Sequence, residues 1–235
     1  MNKIFLSPAV SALFLAGMLS AHAQQKSIEL SFTAQPVRYS IEGRPYKVTG
    51  YSTAHFGMTV DEVRATLATR YPQSLAALKD VTSPVSGNRA LAIVVPQLAP
   101  GPGPATITYV FGATSLRLIA VNLHWLASGT ATKTQQAQLA AGATTLASGF
   151  VGYQWPMFAV SRGHVIAPGT LVVFASRDAD GGGVEVRLDG VEFDLEPRQM
   201  GTSAVFKTEH RALAPGPAQL RLSFVANVEK PDVLH

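Results

Sequence analysis

The chain has no cysteine. Its absence excludes disulfides, thiolate metal ligands and cysteine nucleophiles. It also excludes a bacterial lipoprotein anchor, which is attached to a cysteine at the cleavage site. A domain of this length can bury enough surface to stand without disulfides, so their absence does not argue against export. Charge is scarce too. Charged residues make up 14% of 235, with a formal net charge of +4 and a pI near 9.5. The surface must therefore lean on Thr, Ser, Gln and Ala. Lys and Arg form no run with interleaved aromatics, so the sequence carries no footprint of nucleic-acid binding.

Long apolar runs are also missing after the first residues. The chain opens MNKIFLSPAVSALFLAGMLSAHAQQ. Lys3 supplies a short positive region, an apolar stretch follows, and Ala21-His22-Ala23 matches the small-residue pattern that a signal peptidase cuts. Ser7 and Pro8 interrupt the stretch, which is short for a membrane span of about 20 residues. The expectation is a signal peptide over residues 1–23, no membrane span after cleavage, and a bacterial protein that is periplasmic or secreted.

What is present reads as alternating helices and strands. In FGMTVDEV, Thr59 and Glu62 form a capping box, with Met58 and Val63 at the staple positions. Val60, Val63 and Leu67 make an apolar stripe, and Pro72 stops the helix near Tyr71. PQSLAALKD, residues 72–80, reads as a second short helix with its proline near the first position. SIELSF (27–32), RPYKVTGYS (44–52) and ALAIVV (90–95) read as strands, and LAPGPGP (98–104) as a loop. TITYVFG and TSLRLIAVNLHW form a hairpin. Ile107, Tyr109 and Phe111 share one face. Ile119, Val121, Leu123 and Trp125 share the core face of the partner strand, with Leu118, Asn122 and His124 opposite.

A small, polar stretch near residues 128–132 marks a boundary. The expected units are 24–128 and 129–235, or one continuous domain. Thr132 and Gln135 form a second capping box. Leu139, Ala143, Leu146 and Phe150 follow at helical spacing, with Gly149 as the C-terminal glycine. In TLVVFASRDADGGGVEVRLDGVEFDLE, residues 170–196, DADGGG is a turn, and Asp189-Gly190 signals a two-residue hairpin. That hairpin would set Leu188 against Val191, Val186 against Phe193 and Val184 against Leu195. It would also set Arg187 against Glu192, and Glu185 against Asp194. A strand at QLRLSFVANV closes the chain. The fold class expected is α+β: helices packed on twisted antiparallel sheet, in an arrangement open to two similar helix-plus-hairpin halves.

The Gly57-Met58-Thr59-x-x-Glu62-Val63 start, followed by helical segments and an antiparallel strand such as TYVFG, resembles the BamE/SmpA-like modules of bacterial envelope proteins. The resemblance covers residues 56–125. It implies an envelope module that works through surface contacts. The chain departs from the family in lacking the anchor cysteine and in carrying Arg70-Tyr71-Pro72 where a G-x-P ending is common.

Residues that could carry chemistry are few. There is no G-x-S-x-G elbow, no P-loop and no dinucleotide fingerprint. Ser52 and His55 are close in sequence without a third partner. His55, His124, His164, His210 and His235 show no metal-ligand spacing. Asp178-Ala179-Asp180-Gly181 is similar to the start of a calcium loop, so Asp178, Asp180, Glu185 and Asp194 are the candidate calcium ligands. Position 12 of such a loop falls on Asp189, already used by a turn, and turn chemistry alone accounts for the Asp and Gly residues. The leading expectation is a non-enzymatic envelope protein, with no catalytic residue assigned, no cofactor, and another envelope protein as partner. The alternatives are a periplasmic small-ligand or calcium-binding protein, and a hydrolase of envelope material.

Overall fold

A computed structural model of the protein describes residues 43–192 and 216–232, all within one compact unit, Ile41–His235. Residues 1–23, the strand expected at 27–32, Phe193 to Leu195, His210 and His235 lie outside the described residues. Within 44–52 the extended structure reduces to β1 (Gly50–Tyr51), which pairs with β2 (Ala54–His55) just beyond it, and a single bridge from Pro45 to Gln154.

Thr59 then opens helix α1 (Val60–Arg70). The Thr59 N–H donates to Glu62 Oε2 at 2.7 Å, and the Glu62 N–H donates to Thr59 Oγ1 at 3.3 Å. The helix buries Val63 and Leu67. Pro72 begins a 3₁₀ helix, Pro72–Ala77, which is shorter than the helix expected to residue 80. The chain is extended again from Lys79, in β3 (Lys79–Thr82), because pairing with the next strand wins over helix propensity there. An antiparallel meander follows: β4 (Arg89–Val95), β5 (Ala105–Phe111) and β6 (Leu118–Ala127).

One register shift corrects the sequence reading of β6. Val110 opposes Ala120, but Phe111 opposes Leu118, so Ile119 is the extra residue of a bulge. Side chains change face across it. Leu118 joins the main core at 0% exposure, while Ile119 joins a small cluster with Val110 and Ala120.

Helix α2 (Lys133–Val151) repeats the capping device with Thr132 and Gln135. It runs past Gly149 to a cap at Gly152, and buries Leu139, Gly142, Ala143, Ala147 and Phe150. A Cβ on Gly142 would stand 3.1 Å from Leu220 Cδ2, so glycine permits the close approach of helix and sheet. The second meander is β7 (Val160–Ala167), β8 (Thr170–Arg177), β9 (Gly183–Asp189) and β10 (Ala218–Val225). β7 was not anticipated, since VSRGHVIA shows little alternation.

These strands form one eight-stranded antiparallel sheet in the order β3-β4-β5-β6-β10-β9-β8-β7. The last strand of each meander meets the other at the centre: Leu222 opposes Leu123, and Phe224 opposes Val121. The sheet therefore runs unbroken across residue 128. The hairpin expected at Asp189-Gly190 is corrected. Both flanks of β9 are occupied, by β8 and β10, so Val186 opposes Leu222 and Phe174, and Leu188 opposes Leu220 and Leu171. Glu192 does not face Arg187; its backbone N–H donates to Gln136 Oε1 on α2 at 3.1 Å.

The core lies on one side of this sheet. Leu91, Ile107, Tyr109, Leu123, Trp125, Phe174, Val186 and Leu220 share it with Val63 and Leu67 of α1 and Leu139, Ala143 and Phe150 of α2. The fold is mixed α and β, dominated by sheet.

Candidate functional site

With α1 and α2 on the core side, the described residues place no helix on the second face of the sheet. Strict pairing arranges that face in rows. One row reads Val94, Thr106, His124, Arg221, Arg187 across β4, β5, β6, β10 and β9. The next reads Lys79, Ala92, Thr108, Asn122, Ser223, Glu185. Leu126, Gln219 and Asp189 form a third. The alternation in QLRLSFV already puts Gln219, Arg221 and Ser223 on the face away from the core.

The two halves of the face differ in character. On the β9–β10 side the charges are paired. Arg221 Nη2 donates to Glu185 Oε1, across the two strands. Arg187 Nε donates to Asp189 Oδ2 at 3.0 Å, and Gln219 Nε2 donates to the same oxygen at 2.9 Å. Arg221 also carries a buried Nε without a hydrogen-bond partner, as does Thr108 at its Oγ1. Burial, then the nearby Arg221 and Arg187 cations, push the His124 pKa down to about 4, and a hydrogen bond with Gln219 works the other way. The imidazole is thus neutral at physiological pH. On the β3–β6 side the face holds Val81, Ala90, Ala92, Val94, Thr106 and Leu126, with Lys79 at the edge. Val81, Val94 and Leu126 are 46%, 47% and 57% exposed.

The candidate calcium ligands are not gathered by the described fold. Asp178 is buried, and its carboxylate is filled by backbone donors: Val48 N at 2.7 Å, Gly182 N at 2.8 Å and Asp180 N at 2.9 Å. It organises the β8–β9 turn and ties residue 48 to it. Asp180 pairs with Lys47 at 2.9 Å. Glu185 belongs to the second face with Arg221, and Asp194 lies outside the described residues. Among the described residues no three of His, Asp and Glu come together as a metal set. Ser52 and His55 are both exposed around the β1–β2 turn, and no hydrogen bond joins them. His164 lies exposed on β7.

Buried phenols form one further ionisable group, on the core side. Burial pushes Tyr51 up to about 12, with Tyr71 beside it adding to the shift, and raises Tyr109 as well. Neither supplies a base near neutrality. Comparison of the chain with models of protein families, with curated proteins and with solved structures finds no match. Arg187 and Arg221 were missed as a pair by sequence reasoning, because β9 and β10 become neighbours only through a connection of more than twenty residues.

Proposed function

We propose that the protein is an exported component of the bacterial envelope that acts by contact with another envelope protein, without turnover. The reading joins the signal-peptide pattern of residues 1–23 and the resemblance to BamE/SmpA-like modules with one observation that carries it. The second face of the sheet sets exposed Val81, Val94 and Leu126 beside a row of internally paired charges. A largely apolar flank can exclude water against a partner, and the Arg221 and Arg187 side chains beside it are already mostly withdrawn from water, at 13% and 20% exposure, so covering them removes little more hydration. Three of the described acids elsewhere are engaged in architecture. Asp178 holds a turn, Asp80 holds Arg64 and Arg89, and Asp232 holds the Thr114 and Ser115 backbone.

The experiment is photo-crosslinking in living cells from two positions, Val94 on the second face and Thr69 on the exposed side of α1. The expected result is one recurrent envelope protein captured from Val94 and absent from Thr69, with Ser223→Arg on the same face reducing capture. Equal background from both positions would overturn the reading.

A further inference from the structure

After α2 the chain runs through Tyr153, Trp155, Pro156, Met157 and Phe158 before β7 begins. The base of this loop is fixed. The Trp155 indole N–H donates to Phe150 O at 2.9 Å, and the Tyr46 ring lies 4.7 Å from Tyr153 and 5.0 Å from Trp155. Gln154 N donates to Arg44 O at 3.1 Å, and Tyr46 N donates to Gln154 O at 3.4 Å. The tip is bare: Met157 is 82% exposed and Phe158 97%. Phe158 also has φ of 63°, in the left-handed region that glycine and asparagine adopt readily and a bulky side chain adopts at a cost. The fold thus gains nothing from a phenyl ring here and loses on two counts. A side chain that strains its backbone and returns no internal contact points to a partner outside the molecule.

The surroundings select the partner's chemistry. No charged residue occurs between Lys133 and Arg162, so α2 after its start and the whole loop are uncharged. Arg44 and Arg162 stand at the margins of the loop and make no ion pair among the described residues, although Arg162 lies over the Phe174 ring at 5.9 Å. The described acids on this side are occupied: Asp180 by Lys47 at 2.9 Å, Glu229 by Arg177 at 2.6 Å, and Asp178 by backbone N–H groups. A Met-Phe tip on a Tyr-Trp base with arginines at the margin matches the headgroup and acyl boundary of an anionic bilayer. We propose that the Tyr153–Val160 loop seats Met157 and Phe158 in the surface of an anionic membrane. This inference does not depend on the sheet-face reading.

The test is the fluorescence of Trp155 with vesicles whose acyl chains are brominated, made of phosphatidylcholine with or without phosphatidylserine. Trp125, at 1% exposure, stays in the core and out of reach of the quencher. Quenching is expected with the serine lipid, falling as salt rises, and weaker with phosphatidylcholine alone. Phe158→Asn keeps the left-handed backbone and relieves its strain, so its melting temperature should match or exceed that of the parent. Its apparent vesicle affinity, and that of Met157→Ser, should fall by about tenfold or more. Phe158→Leu should retain binding. Absence of quenching in the parent protein, or equal quenching in Phe158→Asn, would overturn the proposal. So would a concentration-dependent dimer abolished by Phe158→Asn, with vesicles ignored, which assigns the tip to a second copy of the chain.

Discussion

At the scale of single residues, polar side chains bind this fold to particular conditions. His124 is the clearest case. Its folded pKa lies near 4, depressed first by burial and then by Arg221 and Arg187, against an ordinary value near 6.5. The unfolded chain therefore binds more protons between those values, and stability falls as the pH drops through that window. Well above pH 6.5 the full stability is present, and roughly 3 kcal/mol is expected to be lost on reaching pH 4. Urea melts at a series of pH values should show this slope, and His124→Gln should flatten it. A slope unchanged by His124→Gln would place the titrating group elsewhere. Asp178 illustrates a different dependence. Its three backbone donors bring residues 48, 180 and 182 to one carboxylate, so the side chain read from sequence as a calcium ligand acts as the knot of a turn.

At the scale of elements, the helix starts were the most legible part of the sequence. Thr59-x-x-Glu62 and Thr132-x-x-Gln135 are local signals, complete within four residues, and both close in the structure as capping boxes. Thr59→Ala and Thr132→Ala should each cost about 1 kcal/mol, measurable as shifts in denaturation midpoint without a change in slope. A loss from the pair well beyond the sum would mean that α1 and α2 are coupled. Strands with clean alternation, such as GVEVRLD and QLRLSFV, were also readable. Their partners were not. Asp189-Gly190 has the chemistry of a tight turn, and Gly190 does take φ of 67°, but β10 arrives from far along the chain and claims the edge that a local hairpin needs. The second face was lost for the same reason. Arg221 stands next to Arg187, and His124 next to Arg221, only through pairings between distant segments. The bulge at Ile119 was invisible as well, because one extra residue reverses every side chain beyond it without altering composition. The Phe158 tip gave no sequence signal, since WPMF reads as an ordinary apolar run until its exposure is known.

At the scale of the molecule, the two meanders share one sheet and one core, so they should melt together. Leu91→Ala in the first and Val186→Ala in the second each empty a side chain at 0% exposure, and each should cost about 2–4 kcal/mol. Both should lower a single calorimetric transition rather than separate two, with the calorimetric and van't Hoff enthalpies equal. Two resolved transitions, each sensitive to one substitution, would show that the meanders are independent units. The strand order has a further consequence, in time rather than in space. β6 and β10 form the middle of the sheet, yet β10 is the last described strand to be synthesised. Until it arrives, β6 presents a long edge of backbone groups with no neighbour, and the contacts that join β10 to β6 span about a hundred residues of chain. The protein is therefore built from its margins inward. Its most hazardous moment comes late, when a nascent chain holds two finished wings and an open seam that another strand could fill.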